Sequence, residues 1–363
     1  MRLRERISDN RRLAVGAATV LSLVLGGCAE NAPQDALKPE GPVAGKADQL
    51  WDITFLIAVV VFVVVEGLLV FALFRFRHKP GVEARQFHGN TKVEIVLTAV
   101  PALILLGLAV PTVSTIIQQA ERPQGALEVT LVARQFWWEY QYPELGIVTA
   151  NELHIPTGRD VYISLEGATT DLVTGDNEVI HSYWVPRLAG TQDIIPGRTN
   201  TMRLNADKPG TYKGQCKEFC GLGHAYMRLE VVAETPDDFD EWVEEQQTTV
   251  EPPEAGTAGD GALLFQQGTE GGEFANGPAC ASCHAVDANM TEDGGMPQPA
   301  TGPNLAHFAS RETFAGAIFE NTEPNLRAWL ADPPGVKPGA RMPDLGLTDD
   351  QINDLIAYLN TLK

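Results

Sequence analysis

Gln215-Cys-Lys-Glu-Phe-Cys-Gly-Leu-Gly-His-Ala-Tyr-Met227 is the stretch on which the reading of this chain turns. It sets Cys216, Cys220, His224 and Met227 within twelve residues. Thiolate, imidazole and thioether form a soft donor set, suited to copper far better than to magnesium or calcium. A mononuclear blue-copper site uses one Cys, two His and a weak axial Met. Here a second Cys follows the first by four residues. Two thiolates can bridge two metals, so the surplus Cys argues for a dinuclear copper centre. One imidazole is missing from the run. His181, in Val179-Ile-His-Ser-Tyr-Trp-Val-Pro186, is the upstream candidate because it ends a β-like apolar segment. A disulfide between Cys216 and Cys220 or a tetrahedral zinc site is the plainer use of such cysteines, and each leaves most of the pattern unexplained.

With the upstream V-I-H-S-x-W-V-P, the run C-x-E-x-C-x-x-x-H-x-x-M resembles subunit II of the haem–copper cytochrome c oxidases. The resemblance implies a two-copper Cu(A) centre held by His181, Cys216, Cys220, His224, Met227 and the backbone carbonyl of Glu218. It also implies a magnesium or manganese ion shared with subunit I. Asp193, in Thr191-Gln-Asp-Ile-Ile-Pro-Gly-Arg198, and the side chain of Glu218 match its ligands. Gln135-Phe-Trp-Trp-Glu-Tyr140 aligns with the family's aromatic stretch, often Q-W-x-W-x-Y, whose first Trp receives electrons from cytochrome c. Phe136 stands at that place here, followed by Trp137 and Trp138. An aromatic core strand is the alternative use of these residues.

The chain has 363 residues, enough for two or three domains. Its formal charge of -20 speaks against nucleic acid as a partner. Residues 1–27 read as a secretory signal, with Arg2, Arg4, Arg6, Arg11 and Arg12 before the short apolar run Leu13–Leu25. Leu25-Gly-Gly-Cys28 resembles a bacterial lipoprotein signal box, in which Cys28 would be lipidated and become the new N-terminus. An ordinary signal peptide with an incidental Cys is the other reading.

Trp51–Phe74 and Val93–Ile117 are each long and apolar enough to cross about 30 Å of hydrocarbon as a helix. Arg75, Arg77, Lys79, Arg85 and Lys92 lie between them, which places that loop in the cytoplasm. Residues 28–120 then form a two-helix hairpin in a bacterial cell membrane, and everything after Gln118 lies on the outer, periplasmic face. Glu66 sits well inside the first span, where a carboxylate usually faces a protein partner or a water path. Glu94 opens Glu-Ile-Val-Leu-Thr-Ala-Val-Pro101. That resembles the family's second-helix start, commonly E-[IV]-x-W-T-x-x-P, whose glutamate lies at the mouth of a proton path into subunit I. Leu97 replaces the usual Trp, and a solvated residue at the membrane surface is the plain alternative for Glu94.

Residues 121–250 change to short β-rich runs broken by Pro and Gly, among them Leu127–Ala133, Asp160–Leu165, Thr199–Leu204 and Tyr226–Val232. Such spacing predicts a small β-sandwich. The resemblance makes it an all-β, cupredoxin-like domain, with the copper run on a loop between the last two strands and His181 on a neighbouring loop. Thr235-Pro-Asp-Asp carries a helix start signal. Residues 251–260, rich in Pro, Gly and Glu, read as an exposed linker.

Cys280-Ala-Ser-Cys283-His284 is C-x-x-C-H, the attachment signature of c-type haem. Cys280 and Cys283 would bind the haem covalently, and His284 would be one axial ligand. Thioredoxin-like chemistry and zinc are the other uses of this pattern. Its flanks support haem: Gly302-Pro-Asn-Leu305 and Arg341-Met-Pro343 resemble class I cytochromes c. Met342 is then the second axial ligand, with Met290 and Met296 as rivals that lie too near the haem His. Gly261–Gln267 and Leu347–Leu362 would be the first and last helices of an all-α cytochrome c domain over 261–363. The five cysteines divide into one lipid, two copper and two haem ligands.

The whole pattern resembles a subunit II fused to cytochrome c, as in the caa3-type oxidases. That resemblance implies electrons entering at haem c, passing to Cu(A), and leaving to subunit I, where oxygen is reduced with proton pumping. It implies subunits I and III as partners, and cytochrome c or a bc1-type complex as donor. The Cu(A) subunit of a nitric oxide reductase would share most of these features. A copper chaperone or thiol reductase would share only the C-x3-C pair. The quinol oxidase branch lacks the copper ligands.

Overall fold

The computed structural model describes residues 32–77, 88–168, 179–268, 279–291, 293–297 and 301–363, with isolated residues 15, 16, 19 and 81. The rest of the signal segment, Cys28, Lys79 and Arg85 lie outside the described residues.

Two long helices come first, α1 (Pro42–Arg75) and α2 (Thr91–Ala120). Both are apolar on every side, and their apolar windows are wholly uncovered by the rest of the chain. A helix apolar all round needs an apolar surround, and both are long and apolar enough to cross a membrane. Lys46 Nζ donates to Gln118 Oε1 at 2.7 Å, tying the start of α1 to the end of α2. At its N-terminal end α1 is bound to the next domain. Glu40 N donates to Arg187 O, Ala44 N to Leu188 O, and Val43 is buried.

That next domain is a sandwich of two five-stranded sheets. One sheet takes β1 (Leu127–Arg134), β2 (Trp137–Tyr142), β3 (Ile147–Ala150), β5 (Val161–Gly167) and β8 (Asn200–Leu204), in the order β3-β2-β1-β5-β8. The other takes β4 (Glu152–Pro156), β6 (His181–Trp184), β7 (Thr191–Ile194), β9 (Gly210–Cys216) and β10 (Arg228–Glu234), in the order β4-β10-β9-β6-β7. Alternation sets the inward face: Leu127, Val129, Leu131 and Ala133 of β1 are buried while the residues between them are only partly covered. Helix α3 (Pro236–Gln246) follows β10 and starts where Thr235 caps it, its hydroxyl accepting from Asp238 N.

Helix α4 (Gly256–Gln267) begins inside the segment read as a linker, so only 251–255 lack helix there. It packs against the last helix, α7 (Asp349–Leu359), which opens with a Thr348/Gln351 capping box. Gly261 permits this contact, since a Cβ there would collide with the Asp354 carbonyl. Between them lie α5 (Glu323–Ala331), α6 (Pro333–Val336) and a small hairpin, β11 (Thr313–Phe314) with β12 (Phe319–Glu320). The all-α expectation therefore omits one two-stranded element. Phe265, Phe308, Phe314, Leu326, Leu355 and Leu359 form a core separate from that of the sandwich.

Candidate metal centre and haem pocket

The sandwich brings the expected copper donors together at one end of the second sheet. Cys216 is the last residue of β9, and His181 is the first of β6. These strands are neighbours, with Tyr183 opposite Cys216. His181 thus opens a strand, where a neighbouring loop was expected. The chain leaves β9, turns through a short 3-10 segment at His224–Tyr226, and re-enters the sheet at β10. Cys216 N donates to Met227 O at 2.9 Å and closes the base of this loop.

Cys216 Sγ lies 3.8 Å from Cys220 Sγ, 3.9 Å from His181 Nδ1 and 3.2 Å from the Glu218 carbonyl. Cys220 Sγ lies 3.7 Å from His224 Nδ1 and 3.8 Å from Met227 Sδ. The two sulfurs are too far apart for a disulfide, which needs about 2.05 Å. Each sulfur instead has an imidazole and one weak donor beside it, a set that two metals sharing two thiolates can divide evenly. Both thiols and His181 are buried. The contact between the two thiols, with His181 beside Cys216, holds the Cys216 pKa down to about 4, and the same contact with burial pushes Cys220 up.

Trp138 is fully buried and meets the His181 ring edge-on at 6.1 Å and Tyr183 at 5.3 Å. It serves as packing behind His181. Phe136 lies on the other side of the copper loop. Its ring covers Gly221 and Gly223, where added Cβ atoms would collide with it. Trp137 is buried under the Arg134 guanidinium, 5.4 Å from the ring centre. Asp193 and Glu218 both expose their side chains. They belong to one edge, because Asp193 pairs with Ser182, whose carbonyl accepts from Lys217 N. Glu94 reaches back from the first turn of α2, its Oε1 accepting from Asn90 N at 3.3 Å. That is a helix-capping contact.

In the C-terminal domain a cavity of about 400 Å³ is lined by Cys280, Cys283, His284 and Met342, with Phe265, Leu326, Trp329 and Leu355 among its apolar walls. His284 Nδ1 lies 2.8 Å from the Pro303 carbonyl. As donor there, Nδ1 leaves Nε2 with a free lone pair for a metal. Burial lowers the His284 pKa, which keeps the ring in the neutral, ligating form. Gly302 packs on this ring: a Cβ there would lie 2.5 Å from Cε1 and 2.8 Å from Nδ1. Neither Met290 nor Met296 is among the residues lining the cavity. Met290 N instead donates to Gly146 O, against the sandwich. The covalent pair, the free imidazole nitrogen, a thioether and apolar walls fit a c-type haem.

Comparison with known proteins gives the same division of the chain. Residues 127–234 match the family described as "Cytochrome C oxidase subunit II, periplasmic domain". Residues 34–115 match the transmembrane domain of that subunit, and residues 260–363 match "Cytochrome c". Cytochrome c oxidase subunit 2 of Alkalihalophilus pseudofirmus is 34% identical over 352 residues, covering 94% of this chain and 95% of that protein. The chain belongs to the cytochrome c oxidase subunit II family. The subunit of the same name from Bacillus subtilis is 33% identical over 364 residues, covering 95% of this subunit II and 96% of its own length. Quinol oxidase subunit 2 of Bacillus cereus is 34% identical over 237 residues, covering 63% of this chain and 78% of its own. As a subunit II, the chain is part of an oxidoreductase, and its two matched redox domains imply Cu(A) and haem c.

The cavity also reveals what the sequence did not announce. Its walls include Arg134, Gln135, Phe136 and Trp137 of the sandwich beside the C-terminal residues. Lys337 and Gly339, at the same junction, stand among Pro and Gly residues that read only as turn formers.

Proposed function

We propose that this subunit II takes electrons from an external donor at haem c and hands them through dinuclear Cu(A) to subunit I, where oxygen is reduced and protons are pumped. Both groups supply reversible one-electron chemistry when bound. The observation that carries the reading is the shared wall: Phe136 lines the cavity of Cys280, Cys283 and His284, and its ring covers the loop that carries Cys220 and His224.

The chain's own residues prepare each site. His181, Cys216, the Glu218 carbonyl, Cys220, His224 and Met227 would hold the two coppers. Strand ends β6 and β9 fix two of these donors, so the donor positions change little between oxidation states. His284 and Met342 would ligate haem iron, with Cys280 and Cys283 as covalent anchors. A His/Met pair raises a haem potential relative to two His. Asp193 and the Glu218 side chain would meet a magnesium or manganese ion at the subunit I interface, and Glu94 would open a proton path. Cys28 would carry lipid on the outer face of the membrane.

The order of transfer is tested by stopped-flow reduction of the full complex with both groups loaded. Haem c should become reduced before Cu(A). Copper reduced first would overturn the route. The soft donor set favours this reading over a quinol-oxidising subunit, and an assembled complex that oxidises quinol directly, with no copper bound, would reverse that preference.

A further inference from the structure

Lys337 is only 4% exposed, although a buried ammonium is costly unless its hydrogen bonds are satisfied. Among the described residues no carboxylate pairs with it, and burial pushes its pKa down to about 7. Its Nζ donates to two backbone carbonyls, Ala315 O at 2.6 Å and Phe136 O at 3.2 Å. Ala315 belongs to the cytochrome domain, and Phe136 to the copper domain. The one side chain therefore spans the seam between them.

The loop it grips is in an unusual conformation. Ala315, Gly316 and Ala317 have φ of 54°, 80° and 55°. Alanine rarely adopts this left-handed backbone, and it persists only where the surroundings hold it. The run presents two successive carbonyls at the seam, of which Gly316 O reaches the copper domain. Ala315 O takes Lys337, and Gly316 O takes Arg228 N of β10 at 3.1 Å. Nearby, Thr313 N donates to Glu152 Oε1 at 3.2 Å, and Arg341 donates to Gln135 Oε1. The backbones also approach closely: a Cβ on Gly339 would lie 2.6 Å from Gly223 N, on the copper loop.

We propose that Lys337 is a positioning residue that pins the cytochrome domain to the copper domain through the Phe136 carbonyl, and so fixes the wall between the haem pocket and the copper loop. The short segment 251–255 then acts as a covalent connection only, and the seam sets the relative placement of the two sites. The importance of the pin for electron transfer rests on the proposed function, whereas the pin itself does not.

Hydrogen exchange on the full-length subunit in its complex tests the pin. Lys337→Met keeps the chain length and removes the donors. Two hydrogen bonds to buried carbonyls are lost, so exchange at Arg228 and across 313–317 should rise about tenfold or more. Lys337→Arg, which restores donors, should recover most of the protection. Gly339→Ala places a Cβ 2.6 Å from Gly223 N at a backbone φ of 85°, strains the turn that carries Lys337, and should raise exchange in the same peptides. Lys337→Gln, whose shorter amide cannot hold both carbonyls, should raise exchange in the same way and decides the matter if Lys337→Met fails to fold. Unchanged exchange in these peptides in a folded Lys337→Met or Lys337→Gln would overturn the proposal, as would failure of Lys337→Arg to restore protection in a folded chain. Copper and haem content measured on the same samples separates the two claims: their absence would end the functional reading and leave the exchange result standing.

Discussion

Gly302→Ala is the sharpest perturbation of the haem pocket. The new methyl would sit 2.5 Å from His284 Cε1, 2.8 Å from Nδ1 and 3.0 Å from Nε2, so the imidazole must move. The ring is held by a single hydrogen bond, 2.8 Å to Pro303 O. Forcing a methyl into a packed site costs about 1–3 kcal/mol. Losing that hydrogen bond adds about 0.5–1.5 kcal/mol. The sum, about 1.5–4.5 kcal/mol, should lower the melting temperature of the cytochrome domain by roughly 6 °C or more. Covalent haem should remain, since Cys280 and Cys283 are untouched, while spin-resonance and optical spectra should show a high-spin fraction from a displaced histidine. Gly190→Ala, where nothing lies within 4 Å of an added Cβ, is the control and should change neither. A Gly302→Ala protein with the wild-type melting temperature and an all-low-spin haem would refute the reasoning.

Three further outcomes are expected. Met342→Ala should keep covalent haem, lower its reduction potential and abolish the weak sulfur-to-iron absorption band; a retained band would move the axial role to another methionine. Cys220→Ser removes one of the two sulfurs, 3.8 Å apart, that a copper pair would share, and metal analysis should find fewer than two coppers per chain, without the mixed-valence spectrum. His154 is stacked on Trp242 at 4.4 Å, 3.3 Å from Glu234 and 4.0 Å from Glu152. Burial lowers its proton affinity, but the two glutamates outweigh it and its pKa lies above 6.5. The stability it contributes is full below pH 6.5 and is lost as pH rises through the raised value. Melting curves of His154→Gln should lack that alkaline loss, and a variant with the wild-type pH profile would show that His154 does not cause it.

The donors of the copper site were legible because all but one fall in a single run, Cys216 to Met227, whose chemistry is unusual at any spacing. His181 was found through its β-like context, and the register of β6 against β9 supplies the reason it arrives there. The haem residues were legible for the same cause, a compact C-x-x-C-H. The start of α4 was not. Ala255-Gly-Thr-Ala-Gly-Asp260 has the composition of a linker, yet Gly259 and Gly261 are buried against neighbouring backbone, where larger residues would clash. Tertiary packing overrode weak helix propensity there. Nor could the seam be read from the sequence. Lys337 meets Phe136 across 201 positions, and an isolated lysine between Gly335 and Gly339 carries no periodic signal of burial.

Electron spin resonance of the full-length, copper-loaded subunit, with metal content determined on the same sample, tests the central claim most directly. Two coppers per chain should appear as one unpaired electron shared equally between both nuclei, because the sulfurs, the imidazoles and the weak donors divide evenly around Cys216 and Cys220. A single copper with the hyperfine pattern of one nucleus, or zinc in its place, would contradict it.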